Sequence, residues 1–385
     1  MKVSGAWLEN PHAQAVLTML TKAGFHALAV GGCVRNALLG VPVVDVDIAT
    51  DALPETVSAL AEKAGLRAVP TGIAHGTVTV VSGGEGFEVT SFRHDTETFG
   101  RHARVSFGAD LKQDAMRRDF TMNALYAQAD GTLVDPLGGI RDLLARQVRF
   151  VGDADARISE DHLRILRFFR FHAQYGDADH GLDADALAAC ARHSAMLETL
   201  SRERVTAELR KLLAAPNPAP TVAAMAHSGV LAMVLPGAVA GPLAILVHLE
   251  GGLSGPWLRR LAVLGGADTA ARLRLSRAET RDLGTITDAV ASPDTPAALG
   301  YRLGPDLAAD AVLARAALFQ HPPPTGWHAD LQRGAQAKFP LKPRDLMPAF
   351  QGAALGDALA RAEAQWIAQD FAPDRAALLA FLGLA

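Results

Sequence analysis

Cysteine is nearly absent: Cys33 and Cys190 are the two thiols in 385 residues. So few cannot build a disulfide framework or a four-cysteine zinc knot, and they fit a reducing compartment. Long apolar runs are lacking too. The most membrane-like stretch, Leu231 to Leu249, carries no Asp, Glu, Lys or Arg, but Pro236, Gly237, Gly241 and Pro242 interrupt it. In lipid those breakers would strand backbone groups without partners, so the stretch reads as a buried helix, a turn and a second helix. The opening MKVSGAWLEN lacks the apolar core of a secretion signal, so the expectation is a cytoplasmic protein with no membrane partner. A fixed-period repeat and a low-complexity tail are also missing. So is a surplus of basic charge. The net charge of -4 gives no overall attraction to a polyanion, and a nucleic-acid partner would need basic residues gathered locally.

What is present is enough chain for about two or three domains. At 49% hydrophobic and 20% charged residues it can bury a sizeable core, which excludes extensive disorder. From about Phe25 to Val134 short β-branched runs alternate with turns. Segments His26–Val30, Val43–Ile48, Gly76–Val81 and Gly86–Thr90 read as strands, the last two joined by Ser82-Gly83-Gly84-Glu85 as a hairpin. Asn10-Pro11 opens a helix through Ala23, and Leu53-Pro54 opens another through about Ala64. Beyond about Asp142 the pattern is helical almost throughout, rich in Ala, Leu and Arg, with breaks at Pro216, Pro236, Pro256, Pro293 and Pro322-Pro323-Pro324. The fold class is α+β: a mixed head followed by an all-α remainder.

Gly31-Gly32-Cys33-Val34-Arg35 follows the first strand, and Asp45-Val46-Asp47 lies about a dozen residues later. In a strand, side chains alternate, so Asp45 and Asp47 would share a face and Val46 would point into the core. Two neighbouring carboxylates raise each other's pKa unless a cation sits between them. Mg²⁺ is commonly held by one or two carboxylates plus substrate phosphates. Paired glycines let backbone amides approach a phosphate, and Arg35 would add charge-assisted bonds. Each piece alone has an ordinary alternative: an Asp-x-Asp is often an exposed strand, and a Gly-Gly is often a turn.

Further motifs follow in order: Arg117-Arg118-Asp119-Phe120-Thr121-Met122-Asn123-Ala124, then Asp135-Pro136-Leu137-Gly138-Gly139 with Asp142, then Glu160-Asp161-His162-Leu163-Arg164 through Arg170, then Ser201-Arg202-Glu203-Arg204 with Glu208 and Lys211. With these the chain resembles the class II tRNA nucleotidyltransferase and bacterial poly(A) polymerase family, specifically the CCA-adding enzymes, over roughly residues 25 to 212. The resemblance implies a nucleotidyltransferase-like head, then helical neck, body and tail regions. It implies that Asp45 and Asp47 bind two Mg²⁺ ions, with Glu88 as the candidate third carboxylate. Gly31, Gly32 and Arg35 would serve the phosphates. Arg118 and Asp119 would contact phosphate or ribose hydroxyl, with Asn123 close by. Asp161 and Arg164 would read the Watson–Crick edge of CTP and then ATP without a nucleic-acid template, while Arg167 and Arg170 would hold phosphates or position their helix.

The resemblance also sets boundaries: a catalytic head over 1–140, a base-recognising neck over 141–215, and a body and tail over 216–385 that bind tRNA. The region from Arg93 to Asp114, with Arg93, Arg101 and Arg104, looks like the flexible loop needed to switch from C to A addition, and its full length argues against a CC-only enzyme. Arg272, Arg274, Arg277 and Arg281 form a basic cluster suited either to tRNA phosphates or to an ordinary solvated helix surface. Phe339-Pro340-Leu341 with Asp345-Leu346, Gly352, Gly356 and Trp366 resembles the family's tail. One departure stands out: the family continues Gly-Gly-x-Val-Arg with Asp, and here the residue is Asn36. Poly(A) polymerase is the nearest alternative, but those enzymes typically carry an Arg-Arg-Phe type signature and a basic tail, whereas the equivalent stretch here is Val69 to Thr77 and the overall charge is negative. A catalytically silent RNA-binding protein on the same scaffold is the alternative from another class.

Overall fold

The computed structural model describes residues 1–385 except Gly100, Arg101, Ala109, Ala178, 252–254 and Ala385, and except the side chains of 74, 94–99 and 102–106. Among the described residues the β-branched segments form β1 (Leu28–Val30), β2 (Asp47–Thr50), β3 (Arg67–Gly72), β4 (Thr77–Ser82), β5 (Glu85–Ser91), β6 (Arg93–Phe99), β7 (His102–Phe107), β8 (Tyr126–Ala127) and β9 (Leu133–Val134). One mixed sheet has the order β3-β4-β5-β2-β1-β8-β9, and β6 and β7 make a separate ribbon. The expected hairpin is there. Val78, Val80, Phe87 and Val89 face inward from β4 and β5, whose antiparallel register runs from Thr77↔Thr90 to Ser82↔Glu85.

The strand expected over Val43–Ile48 begins later. Gly40 closes the helix Gly32–Leu39 in a left-handed conformation, φ 68°, and Pro42 has no amide to give a ladder. The chain therefore stays in a loop until Asp47, where β2 pairs antiparallel with β1 and parallel with β5. Asp45 is thus a loop residue, and Val46 is half-buried rather than in the core. The helix starts match the sequence: Asn10 accepts from the His12 amide with Pro11 behind it, giving Pro11–Lys22, and Pro54 opens Pro54–Lys63.

After β9 the described elements are helical. The helix Leu163–Tyr175 buries Leu163, Ile165, Leu166, Phe168, Phe169 and Phe171. Its rings meet the head: Phe120 lies 5.0 Å from both Phe150 and Phe171, and Phe168 lies 5.7 Å from Phe150. Truncating one such buried ring costs about 3–5 kcal/mol, so this aromatic cluster fixes where the helix lies against the sheet.

The chain divides into two compact units, Met1–Pro236 and Gly237–Ala385. The apolar stretch splits as expected, into Val230–Val234 at the end of the first unit and Gly241–Leu249 at the start of the second. No helix among the described residues is long and apolar enough to cross a membrane. In the second unit the helices Pro296–Leu303 and Trp327–Gln336 meet backbone to backbone. A Cβ at Gly300 would stand 2.1 Å from the Leu331 carbonyl oxygen, and one at Gly334 only 1.8 Å from that of Ala297. Leu341, Leu346, Ala358, Ala362, Trp366 and Leu378 form a separate core of that unit, which accounts for the tail-like pattern of the sequence as packing. Arg274, Arg277 and Arg281 are exposed there, and Arg272 is half-buried.

Candidate active site

Strand register brings the candidate residues into one row. Val30 of β1 pairs with Asp47 of β2, and Asp47 pairs with Glu88 of β5. Directly opposed residues on neighbouring strands point to the same face, so Asp47 and Glu88 share a face, and the Gly31 turn begins one residue beyond Val30. Gly31 adopts φ 72°, ψ -114° and caps the helix Gly32–Leu39. That conformation excludes most side chains, and the turn leaves the first helical amides at the carboxylate row, the arrangement that suits an anion.

Asp45, Asp47 and Glu88 are solvent-exposed as residues. Even so, local burial first, then Glu88, push the Asp47 carboxyl above the usual carboxylate range; Asp45 adds to the rise and Arg118 opposes it. Cys33 lies beside this row, and burial, with Asp47 adding to it, lifts its thiol to about 11; it is a packing residue, not a nucleophile. Mutually repelling carboxylates at a solvent-accessible edge are a donor set that a hard divalent cation would relieve. Among the described residues no group of three or more His, Cys, Asp or Glu is arranged to hold an ion by itself. The fit is therefore to a metal that draws its remaining oxygens from a substrate.

Facing the row is Arg118. A Cβ built at Gly31 would lie 3.5 Å from Arg118 Nη1, so the guanidinium flanks the glycine turn. Its other atoms are committed: Nε donates to Tyr126 Oη at 3.1 Å and Nη2 to Asp114 Oδ2 at 3.1 Å. Asp114 is 1% exposed. It also accepts from Arg117 Nε and Nη2 at 2.9 and 2.8 Å, and from the Tyr126 hydroxyl at 2.8 Å. Burial alone would raise the Asp114 carboxyl, but Arg118 and Arg117 overcome it and hold it below its usual range.

Arg35, expected at the phosphates, is turned inward. It is 7% exposed, donates to Asn123 Oδ1 at 2.6 Å and Tyr175 Oη at 3.0 Å, and lies 4.2 Å from the Tyr175 ring centre. Asn36 Oδ1 accepts from Arg35 Nε and Nη2 at 3.1 and 2.8 Å, while its Nδ2 donates to the Pro42 carbonyl at 2.9 Å. The neutral amide thus serves both an arginine and the loop before Asp45, which a carboxylate could not do. From Arg35 the network continues: Asn123 Nδ2 donates to Asp119 Oδ1 at 2.9 Å, and Arg167 Nε and Nη2 donate to Asp119 Oδ2 at 2.8 and 2.5 Å. Burial opposes ionisation of Asp119, but Arg167 and Asn123 outweigh it and hold the carboxyl low. Asp119 is the joint between the head and the helix Leu163–Tyr175.

Along that helix each predicted contact residue has a protein partner. Arg164 donates to Glu160 and to the carbonyls of Arg157 and Arg117, the last two at 2.8 and 3.2 Å. Asp161 accepts from Arg204 Nη2 at 2.6 Å. Arg170, 8% exposed, donates to Glu208 Oε2 at 2.5 Å; of the two roles expected for it, positioning the helix is the one this burial favours. The Asp-Pro-Leu-Gly-Gly motif is a brace. Asp135 accepts from the Gly139 and Ile140 amides at 2.8 and 3.0 Å, Thr121 donates to Asp142 at 2.6 Å, and a Cβ at Gly139 would stand 2.2 Å from the Thr121 carbonyl oxygen.

The structure therefore gathers Gly31, Asp47, Glu88 and Arg118 at one sheet edge and Arg35, Asn123, Asp119 and Arg167 in one network. Sequence reasoning missed the roles of Asp114, Tyr126, Tyr175 and Glu160. The spacing of Asp114 to Arg117 and Arg118, three and four residues on a helical turn, carried a signal for the first. Of the loop-like region, Arg101 lies outside the described residues, as does the Arg104 side chain. The remainder is the β6–β7 ribbon followed by the helix Leu111–Met116, capped by Asp110.

Comparison with known proteins agrees with this geometry. Residues 27–149 match the poly A polymerase head domain, and residues 181–240 match a probable RNA and SrmB binding site of polymerase A. A CCA-adding enzyme of Latilactobacillus sakei is 43% identical over 215 residues, 55% of this chain and 52% of that protein, so the chain spans about half the length of this relative. The CCA-adding enzyme of Geobacillus stearothermophilus is 37% identical over 347 residues, 86% of this chain and 83% of that one. The crystal structure of the Bacillus stearothermophilus CCA-adding enzyme in complex with CTP superposes with a TM-score of 0.73 at 31% identity, covering 93% of each chain. Extent, identity and fold together place the chain in the CCA-adding enzyme group of the tRNA nucleotidyltransferase and poly(A) polymerase family.

Proposed function

We propose that this chain adds CCA to the 3′ end of tRNA, one nucleotide at a time, from CTP and ATP, without a nucleic-acid template. The observation that carries the reading is the row Val30, Asp47, Glu88 across three neighbouring strands, with the Gly31 turn and Arg118 beside it. Enzymes of this family use a divalent metal ion. Asp45 and Asp47, with Glu88 as a third carboxylate, would hold it here, and we take the ion to be Mg²⁺. When bound, it supplies charge neutralisation at the phosphates and makes the RNA 3′-hydroxyl a better nucleophile.

The chain's own groups then divide the nucleotide among them. The first amides of the helix Gly32–Leu39 and Arg118 bind the triphosphate, the Gly31 amide being held by the Leu125 carbonyl at 3.0 Å and the arginine acting as a charge-assisted donor that also attracts the Asp47 charge. Asp119 and Asn123 face the sugar. Asp119 already accepts from the Phe120 amide, Asn123 and Arg167, so a ribose hydroxyl would add a donor to its remaining lone-pair capacity, and a deoxynucleotide would forgo that bond. Asp161 and Arg164 offer one acceptor and one planar donor fork to the base edge. Both are occupied by Arg204 and Glu160 in this structure, so base recognition proceeds by exchange of partners. Arg35, Arg167 and Arg170 hold these groups in place. In this reading residues 1–140 are the catalytic head, 141–215 the base-recognising neck, and 216–385 a tRNA-binding body and tail in which Arg274, Arg277 and Arg281 meet phosphates. The compartment is the cytoplasm.

The test is direct. Purified protein is given tRNA ending before CCA together with Mg²⁺ and CTP, ATP or both. Two C residues with CTP, and a single terminal A only when both are supplied, are expected. Long A tails from ATP alone would mark a poly(A) polymerase instead, and RNA binding without incorporation would mark a silent binder.

A further inference from the structure

Arg118 can serve a triphosphate only if its guanidinium is held at the Gly31 turn, and an arginine side chain left free loses most of its rotamer freedom on binding. Nothing within Arg118 itself fixes it there. Two groups from different elements do. The Tyr126 hydroxyl, on β8 of the sheet, accepts from Nε at 3.1 Å, and the Asp114 carboxylate, on the helix Leu111–Met116, accepts from Nη2 at 3.1 Å. These two are themselves joined, Tyr126 Oη donating to Asp114 Oδ2 at 2.8 Å, and the Arg118 guanidinium carbon lies 5.2 Å from the Tyr126 ring centre. The clamp thus occupies Nε and Nη2 and leaves Nη1 on the Gly31 side. Both holders are fully inside the protein: Tyr126 is 0% exposed and Asp114 1%.

We infer that Asp114 and Tyr126 are positioning residues for nucleotidyl transfer: they form a preassembled clamp that aims Arg118 Nη1 at the phosphates of the incoming nucleotide without touching the nucleotide themselves. The inference rests on the reading of Arg118 as a phosphate ligand. The ionised state that the clamp needs is built in, because Asp114 and Tyr126 raise the Arg118 pKa against the lowering effect of its burial, and the same burial lifts the Tyr126 hydroxyl well above its ordinary range, keeping it protonated as a donor to Asp114. Asp114 also takes both the Nε and Nη2 of Arg117 on its other oxygen. One carboxylate therefore separates two adjacent arginines and fixes which of them reaches the glycine turn.

The experiment compares the full-length protein with Tyr126→Phe, Asp114→Asn and Arg118→Ala, measuring binding of CTP and of CMP by titration and steady-state KM and kcat for CTP on tRNA ending before CCA. CMP shares the base, the sugar and one phosphate, so a loss confined to CTP isolates the phosphate end. Tyr126→Phe removes one oxygen and keeps the ring. It is expected to weaken CTP about three- to tenfold while leaving CMP within about twofold, the scale of one ordinary hydrogen bond, since the loss reaches the nucleotide only through Arg118. Asp114→Asn is expected to weaken CTP more than Tyr126→Phe does, with KM rising more than kcat falls. Should Asp114→Asn fail to fold, Tyr126→Phe decides alone. Equal losses for CTP and CMP, or no loss in Tyr126→Phe while Arg118→Ala loses CTP, would overturn the clamp and leave the reading of Arg118 intact. Unchanged CTP binding in Arg118→Ala would overturn both.

Discussion

The two ends of the candidate site are built differently. At the sheet edge Asp45, Asp47 and Glu88 are exposed, and Asp47 keeps a raised pKa from local burial and from Glu88 even with Arg118 opposing the rise. On the helix Leu163–Tyr175 both the groups proposed to face the base and those that hold them have protein partners: Arg164 with Glu160, Arg167 with Asp119, Arg170 with Glu208, and Asp161 with Arg204 just before the helix. The first end is an excess of negative charge, which a bound cation would neutralise. The second is a balanced set in which, on the proposed reading, binding would exchange partners and leave the number of bonds nearly unchanged. Such an exchange favours selectivity between bases more than raw affinity, because each candidate base competes with an internal partner.

Four measurements would break or sharpen that contrast, beginning with the largest. Asp47→Ala should cut kcat/KM by on the order of 10³-fold or more, the scale of losing preorganised charge stabilisation at the reacting phosphate, while circular dichroism and RNA binding stay unchanged. If the loss is tenfold or less, the exposed carboxylates are not the reactive end. Glu208→Ala leaves Arg170 buried without its partner and should lower stability by about 3–5 kcal/mol in urea titration. The double change Arg170→Met with Glu208→Leu should recover most of it, since no lone charge remains.

Arg164→Ala should leave total nucleotide incorporation measurable while shrinking the preference between correct and incorrect nucleotides by about tenfold to a hundredfold, read from single-nucleotide incorporation ratios. The smallest effect concerns pH and charge at the two ends. Asp114 and Asp119 have folded-state pKa values below the ordinary 3.8, so they add stability above that value, and it is lost as pH falls through their lowered pKa values. Asp47 has the opposite sign: its raised pKa favours the folded state at low pH and costs stability as pH rises through it. In chelator at pH 7, Asp47→Asn should therefore raise the first unfolding midpoint by about 1–2 °C, a small gain because solvent screens the group, and added Mg²⁺ should narrow the difference.

Much of this was legible in the sequence where a pattern is local. The glycine hairpin, the Pro-initiated helices and the change from alternating to helical periodicity all depend on a few neighbouring residues, and the structure forms them. The order of the motifs pointed to the family for the same reason. Asp45 shows where local reading stops: alternation alone extends a strand back to Val43, but β2 exists only where β1 and β5 offer partners, and Pro42 with the left-handed Gly40 keeps the preceding residues out. The pairs Asp119–Arg167, Asp161–Arg204 and Arg170–Glu208 join residues about forty apart. Periodicity marked the arginines as one helical face and carried no information on which carboxylates would return to meet them. Asn36 is the reverse case. Its departure from the family pattern was visible, and its two-sided hydrogen bonding became clear only with the Pro42 carbonyl in place.

Asp119 gives its two oxygens to different masters: one to Asn123 and the Phe120 amide in the head, the other to Arg167 on the long helix. On the proposed reading, a ribose hydroxyl approaching this carboxylate would compete with a guanidinium whose position follows the helix. Tilting of that helix would therefore register at the sugar before it registered at the base, tying the choice of ribonucleotide to where the helix lies.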